Sequence, residues 1–166
     1  MPDLPRPSED DYRLIELFFF AYRDFISDPD TALEPFGFGR AHHRVLHFVS
    51  RRPGLTVAEL LDILKIKKQS LGPILKDLVD GGFLETRPGE HDRRRRLLHP
   101  TQKGLNLSVD LTTIQSRRLD AALDHLAQAG GDRFAAEAFL MGMLEPEERS
   151  FVARWHDRPA GEPDGS

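Results

Sequence analysis

The chain of 166 residues contains no cysteine. Disulfides, thiol sensors and thiolate zinc sites are thereby excluded. It also lacks a long apolar run. The longest, residues 17–22, is six residues, Leu-Phe-Phe-Phe-Ala-Tyr, against the roughly 18 or more that a bilayer-spanning helix needs, so no membrane partner is expected. Positive charge is not in excess either: 23 Lys plus Arg face 27 Asp plus Glu, a formal net charge of -4, which speaks against coating nucleic acid or anionic lipid by bulk charge. The first ten residues hold three prolines and three acids where a signal peptide would be basic and then apolar, so the cytoplasm is the expected compartment. The length suits one domain with a substantial core of its own.

What is present is mostly helical periodicity. Ser8 and Asp11 form a helix-start pair, and Leu14, Phe18, Tyr22 and Phe25 follow as one stripe with Ile15, Phe19 and Ile26 beside it, so this helix reads as buried on two sides. A loop marked by Asp28-Pro29-Asp30 and Glu34-Pro35-Phe36-Gly37 leads to a second helix that ends near residues 51–54. Thr56-Val57-Ala58-Glu59 is a capping box that opens a short helix. After Lys65-Ile66 the period resumes at Leu71, Ile74, Leu75, Leu78 and Val79 and stops at Gly81-Gly82, a helix-turn-helix pattern. Residues 83–87 and 95–99 read as the strands of a hairpin with a long basic loop. Thr101 caps a helix running to about Gln128, Asp132 caps another through Met143, and Pro146 opens a last one. The expected fold is mainly α with a small β-hairpin wing, a winged helix-turn-helix with flanking helices. It divides into a flexible arm (1–9), a single unit (10–156) and a disordered tail (157–166).

Resolved by region, the charge reverses its message. Residues 51–104 hold 12 Lys plus Arg against 7 acids, a net of +5, and the remainder holds 11 against 20, a net of -9. An acidic body with one basic edge is the footprint expected of a sequence-specific binder of a polyanion, and with a helix-turn-helix on that edge the expected partner is double-stranded DNA. With Leu71, Ile74, Leu75 and Leu78 turned to the core, Lys68, Gln69, Gly72, Pro73 and Lys76 face outward. Gln69 and Lys68 are base-reading candidates, because Gln pairs bidentately with adenine and Lys reaches guanine or phosphate. Lys67, Ser70 and Lys76 suit phosphate oxygens. Pro73 inside a helix loses a backbone bond and crowds the preceding turn, so the helix is expected to start late or bend there. The alternatives for the flattened Gly72-Pro73 surface are close approach of the backbone to DNA and plain structural tolerance. In the wing, Arg93, Arg94, Arg95 and Arg96 carry the charge, and Arg94 is the tip candidate for a narrow minor groove. Asp92 either orients one of these guanidinium groups through a bidentate pair or caps the turn.

The stretch 55–104 resembles the winged helix-turn-helix of the MarR family of bacterial transcription regulators. The most specific segments are Gly82-Phe83-Leu84, Asp92-Arg93-Arg94 and Thr101-Gln102-Lys103-Gly104, and with the flanking helices the likeness covers about residues 10–156. The resemblance implies a homodimer built by intertwining residues 10–54 and 101–156, a DNA-binding part at 55–100, and Arg94 in the minor groove. It further implies a non-enzymatic transcription regulator, repression as the expected mode, a pseudo-palindromic operator, and release by a small-molecule effector. Residues 37–48 are similar to the PetP-like alphaproteobacterial branch, which is linked to respiratory or photosynthetic genes. Gly72-Pro73 departs from the polar residue usual in the family, and Pro100 replaces an apolar one. The absence of Cys excludes the thiol switch of the peroxide-sensing branch.

His43 and His47 lie four residues apart, with His42 adjacent. Such a pair could hold a divalent metal only with a third ligand, and none is supplied nearby, so no metal or cofactor is expected. Tyr22, Phe25, His42, His43, His47 and Phe48 are candidates for an effector pocket, although core packing also accounts for the aromatics. Two other classes compete with a DNA-binding regulator. One is a winged-helix protein-interaction module without strong DNA binding, kept open by Gly72-Pro73. The other is a metal enzyme built on the histidines, which lacks any accompanying nucleophile motif.

Overall fold

The computed structural model describes residues 6–89 and 93–157. It contains eight α-helices: α1 (Glu9–Ser27), α2 (Asp30–Leu33), α3 (Arg40–Arg51), α4 (Val57–Leu64), α5 (Lys68–Asp80), α6 (Gln102–Gln128), α7 (Arg133–Gly142) and α8 (Pro146–Asp157). Three strands, β1 (Leu55–Thr56), β2 (Leu84–Pro88) and β3 (Arg96–Pro100), form one antiparallel sheet in the order β1-β3-β2. The residues expected to form a flexible arm and tail lie largely outside the description (1–5 and 158–166), but Ser8 caps α1, Glu9 opens it, and Asp157 closes α8.

Caps set most of the boundaries. Ser8 accepts from the Asp11 backbone N–H while the Asp11 carboxylate accepts from Ser8, and Thr56 and Glu59 do the same for α4. Thr101 and Asp132 cap α6 and α7 through the N–H groups of Gly104 and Ala135. Such caps contribute roughly 1 kcal/mol each and localise helix starts to within a residue.

Four expectations are corrected. The loop at 28–37 contains α2 and a 3-10 turn at Glu34–Phe36, because Leu33 turns into the core with 1% exposure and pins the segment. The hairpin strands sit one residue later than periodicity predicts, with Leu84 opposite Pro100 and Pro88 opposite Arg96. A third strand, β1, pairs Leu55 with Leu98 and Thr56 with Leu97; two residues carry no periodicity, so it had no sequence signal. Finally, α5 starts at Lys68 and continues through Pro73, so it does not start late.

The core lies where α3, α4, α5, the N-terminal part of α6 and the sheet meet. Val45, Leu46, Val49, Leu60, Leu71, Leu78, Phe83, Leu84, Leu98 and Leu111 are all essentially solvent-free there. Each such side chain contributes about 1.5–3 kcal/mol relative to exposure. The joint between the core and α6 is unusually close: a Cβ on Gly104 would lie 2.0 Å from the Phe83 carbonyl oxygen. That carbonyl accepts from the Thr101 N–H at 3.0 Å, and the Thr101 hydroxyl donates to the Gly82 carbonyl at 2.6 Å.

Outside this lobe the helices are bare. No residue of α1, α7 or α8 is buried, so α1, expected to be buried on two sides, is buried on neither within one chain. Phe19 is 65% and Phe134 77% exposed, and Leu14, Ile15, Leu17, Phe20, Tyr22, Leu119, Phe139 and Leu140 are also open. Arg118 on α6 grips Asp28 at the end of α1 through a bidentate pair, its Nη2 lying 2.7 Å from Oδ1.

Candidate nucleic-acid interface

On α5, burial alternates as the outward face requires. Leu71 and Leu78 are sealed, Ile74 and Leu75 are half-buried, and Lys67, Lys68, Gln69, Ser70, Gly72, Pro73 and Lys76 are all exposed. The predicted set therefore occupies one solvent face. Lys76 is engaged by Asp80 one turn on, which raises its pKa through that hydrogen bond. A phosphate at this position would compete with the carboxylate. Lys65, in the turn before α5, adopts the left-handed region at φ 51 and reaches Glu148 of α8 at 3.0 Å.

In the wing, Arg93, Arg94, Arg95 and Arg96 are exposed; the first three lie in the turn and Arg96 opens β3. The Gly89 N–H donates to the Arg95 carbonyl at 3.0 Å and closes the hairpin end. Asp92 lies outside the described residues. On β2, Arg87 pairs with Glu85 at 2.7 Å, leaving the tip as the concentration of positive charge.

Other contacts set the pose of α5, and these were not foreseen. His42, on the first turn of α3, accepts from the Gly39 N–H at Nδ1 (3.1 Å) and places Nε2 3.1 Å from the Asp77 carboxylate. With Nδ1 accepting, a proton on Nε2 lets the ring donate to Asp77, so one imidazole joins the start of α3 to the last turns of α5. The ring stacks on Phe38, 4.7 Å between centroids, and Phe38, Phe36 and Phe83 contact one another at 5.0–5.8 Å. Lys103 lies over Phe83 at 4.1 Å and donates to the Gly81 carbonyl at 2.8 Å. Asp77 is 35 residues from His42, a separation at which sequence offers no pairing rule.

The six residues considered for an effector pocket come from α1 and α3. His42 makes the Asp77 contact, Phe48 packs against both His47 at 5.3 Å and Trp155 of α8 at 5.5 Å, and on α1 Tyr22 is exposed and Phe25 half-buried. His43 and His47 remain together on α3, His43 buried and His47 half-buried. Burial lowers the pKa of both, and the facing charges add to it, His47 for His43 and Arg51 for His47. Among the described residues no group of three or more His, Cys, Asp or Glu could hold a metal, and no helix is long and apolar enough to cross a membrane.

A capped helix-turn-helix, a three-stranded sheet and a basic hairpin tip on one edge define a winged helix-turn-helix protein. The MarR family model matches residues 36–95. The HTH-type transcriptional regulator PetP of Rhodobacter capsulatus is 44% identical over 137 residues, covering 81% of this chain and 80% of the relative. The chain belongs to the MarR family, whose members are transcriptional regulators rather than enzymes. Solved structures share the fold. MarR superposes with a TM-score of 0.65 at 19% identity, covering 94% of this chain and 97% of that one. A MarR family regulator from Listeria monocytogenes in complex with a 26mer DNA gives 0.63 at 19% identity over 91% and 93%. The repressor CouR bound to a 23-mer duplex gives 0.64 at 20% identity over 85% and 99%.

Proposed function

We propose that the protein is a homodimeric repressor that binds a pseudo-palindromic operator, with α5 of each copy in a major groove and each Arg-rich wing in a flanking minor groove. The observation that carries this reading is the coincidence of every exposed candidate on α5 and the wing arginines with the +5 region of an otherwise acidic chain. DNA-bound neighbours of the same fold support it. Dimerisation is supported by the bare apolar faces of α1 and α7, since monomeric proteins rarely expose contiguous apolar patches of this extent. Two-fold symmetry would place the two recognition helices about 34–36 Å apart, one helical turn of DNA.

A small-molecule effector completes the proposal. The structure of NadR with 4-hydroxyphenylacetate, similar in fold with a TM-score of 0.64 at 20% identity, supports a ligand site in this fold, and the pair of buried His43 and half-buried His47 is the polar feature in α3 best suited to line it. Release would follow from a change in spacing of the two reading heads, because displaced contacts are lost together.

The test is a salt series on the full-length protein with fragments of its adjacent promoter. Contacts to 6–10 phosphates predict a loss of about 10³–10⁵ in affinity between roughly 50 and 200 mM salt. Arg94→Ala is expected to weaken binding at the minor-groove flanks, and the same affinity for every fragment in that variant would refute the wing assignment. Binding indifferent to salt would favour a protein-interaction module instead.

A further inference from the structure

Gln69, Gly72, Pro73 and Lys76 follow the i, i+3, i+4, i+7 spacing of a single helical stripe, and all four are exposed. Two features of that stripe are unusual for a reading face. A Cβ placed on Gly72 would meet nothing within 4 Å, so the missing side chain leaves the helix wall open to close approach. Pro73 lies inside α5 and has no N–H, so the bond that would close on the Gln69 carbonyl four residues earlier cannot form. The carbonyl keeps an acceptor lone pair next to the pyrrolidine ring, which an N–H donor would otherwise occupy. A helix elsewhere in a protein would carry this as a defect. On the face proposed to enter the groove it is a recognition group made of main chain.

We infer that the Gln69 carbonyl and the Pro73 ring together read one A·T pair in each half-site: the carbonyl accepts from adenine N6–H, and the ring packs on the thymine C5-methyl. This inference rests on the DNA-binding reading above. The major-groove edge of an A·T pair presents that donor and that methyl with only thymine O4 between them. The other pair fits less well: cytosine N4–H offers the carbonyl a donor, but guanine O6 and N7 beside it are acceptors that oppose the carbonyl, and cytosine carries no methyl for the ring. The Gln69 side chain is then free to serve a neighbouring base, and Gly72 supplies the clearance that a main-chain group needs to reach the groove floor.

The experiment uses the full-length protein and a duplex that it selects from a random-sequence library. Each A·T pair of a half-site is altered in turn, thymine to deoxyuracil to remove only the methyl, and adenine to purine to remove only the N6 amino group. One pair per half-site is expected to respond to both changes. Loss of the methyl should weaken binding about fourfold, the equivalent of burying one carbon at ~0.8 kcal/mol. Loss of the amino group should weaken it about fivefold, the equivalent of a neutral hydrogen bond at ~1 kcal/mol. Pro73→Ala restores the N–H and should abolish the response to purine at that pair. Pro73→Ala and Pro73→Gly both remove the ring as well, so both should also abolish the response to deoxyuracil. Both variants are expected to fold, since Pro is the least favourable residue in a helix interior. Wild-type protein that tolerates both base changes at every A·T pair, or variants that keep the wild-type penalties, overturns the inference and leaves the DNA-binding reading standing. Failure to select any duplex overturns the DNA-binding reading and this inference with it.

Discussion

Gly104→Ala isolates the joint that holds the wing lobe to α6. The added methyl would sit 2.0 Å from the Phe83 carbonyl oxygen and 3.0 Å from its carbon, both backbone atoms that cannot rotate away. Relief requires α6 and the segment before β2 to separate, which puts at risk the Thr101 N–H bond to Phe83 (3.0 Å) and the Thr101 hydroxyl bond to Gly82 (2.6 Å). Overpacking costs about 1–3 kcal/mol, and two weakened hydrogen bonds cost about 1 kcal/mol each. Ala in place of Gly returns about 1 kcal/mol of helix propensity. The net expectation is a loss of about 2–4 kcal/mol, read as a lower urea midpoint by far-UV circular dichroism with an unchanged slope. Gly72→Ala is the matched control, because its methyl would meet nothing within 4 Å in an exposed helix; it should stabilise by about 0.5–1 kcal/mol. Equal midpoints for the two variants would refute the reasoning, since helix propensity alone would then account for both positions.

Two further outcomes are expected. Phe19→Asp places a charge on the bare face of α1, where Phe19 is 65% exposed in a single chain. Sedimentation should show the mass falling from dimer to monomer at micromolar concentration, and an unchanged mass would remove α1 from the interface. His43 and His47 have pKa values lowered by burial, so the folded state prefers the neutral rings. Their contribution is fully present above the unfolded histidine value of about 6.5 and is lost as pH falls through the lower folded values. The urea midpoint should therefore drop on going from neutral to mildly acid pH, and the drop should shrink in His43→Leu combined with His47→Leu. The same drop in the double variant would assign the pH dependence to other groups.

The two histidines, the glycine joint and the His42–Asp77 contact show how legibility depends on the range of an interaction. The outward face of α5 was readable because burial of Leu71 and Leu78 fixes the phase of a helix, and every residue assigned to the opposite side is exposed. The caps at Ser8, Thr56, Thr101 and Asp132 were readable because a cap is a contact over three residues. The partners of the effector candidates were not readable: His42 meets Asp77 of α5, and Phe48 meets Trp155 of α8 as well as its neighbour His47. Adjacent helical positions point about 100° apart, so a ring can touch its neighbour, as Phe48 does His47, and still reach a different helix.

By itself the sequence determined the longer helices, the capped starts of α1, α4, α6 and α7, the basic edge on an acidic body and the exclusion of thiol chemistry, because each depends on composition or on contacts within a turn or two. Tertiary structure alone decided that two residues at 55–56 become a strand, that Gly104 must remain without a side chain, and that His42 grips Asp77. Each of these depends on a partner tens of residues away. Local propensity acts before the chain closes on itself, whereas such partners exist only once the core around Leu46, Leu71, Phe83 and Leu111 has brought them together.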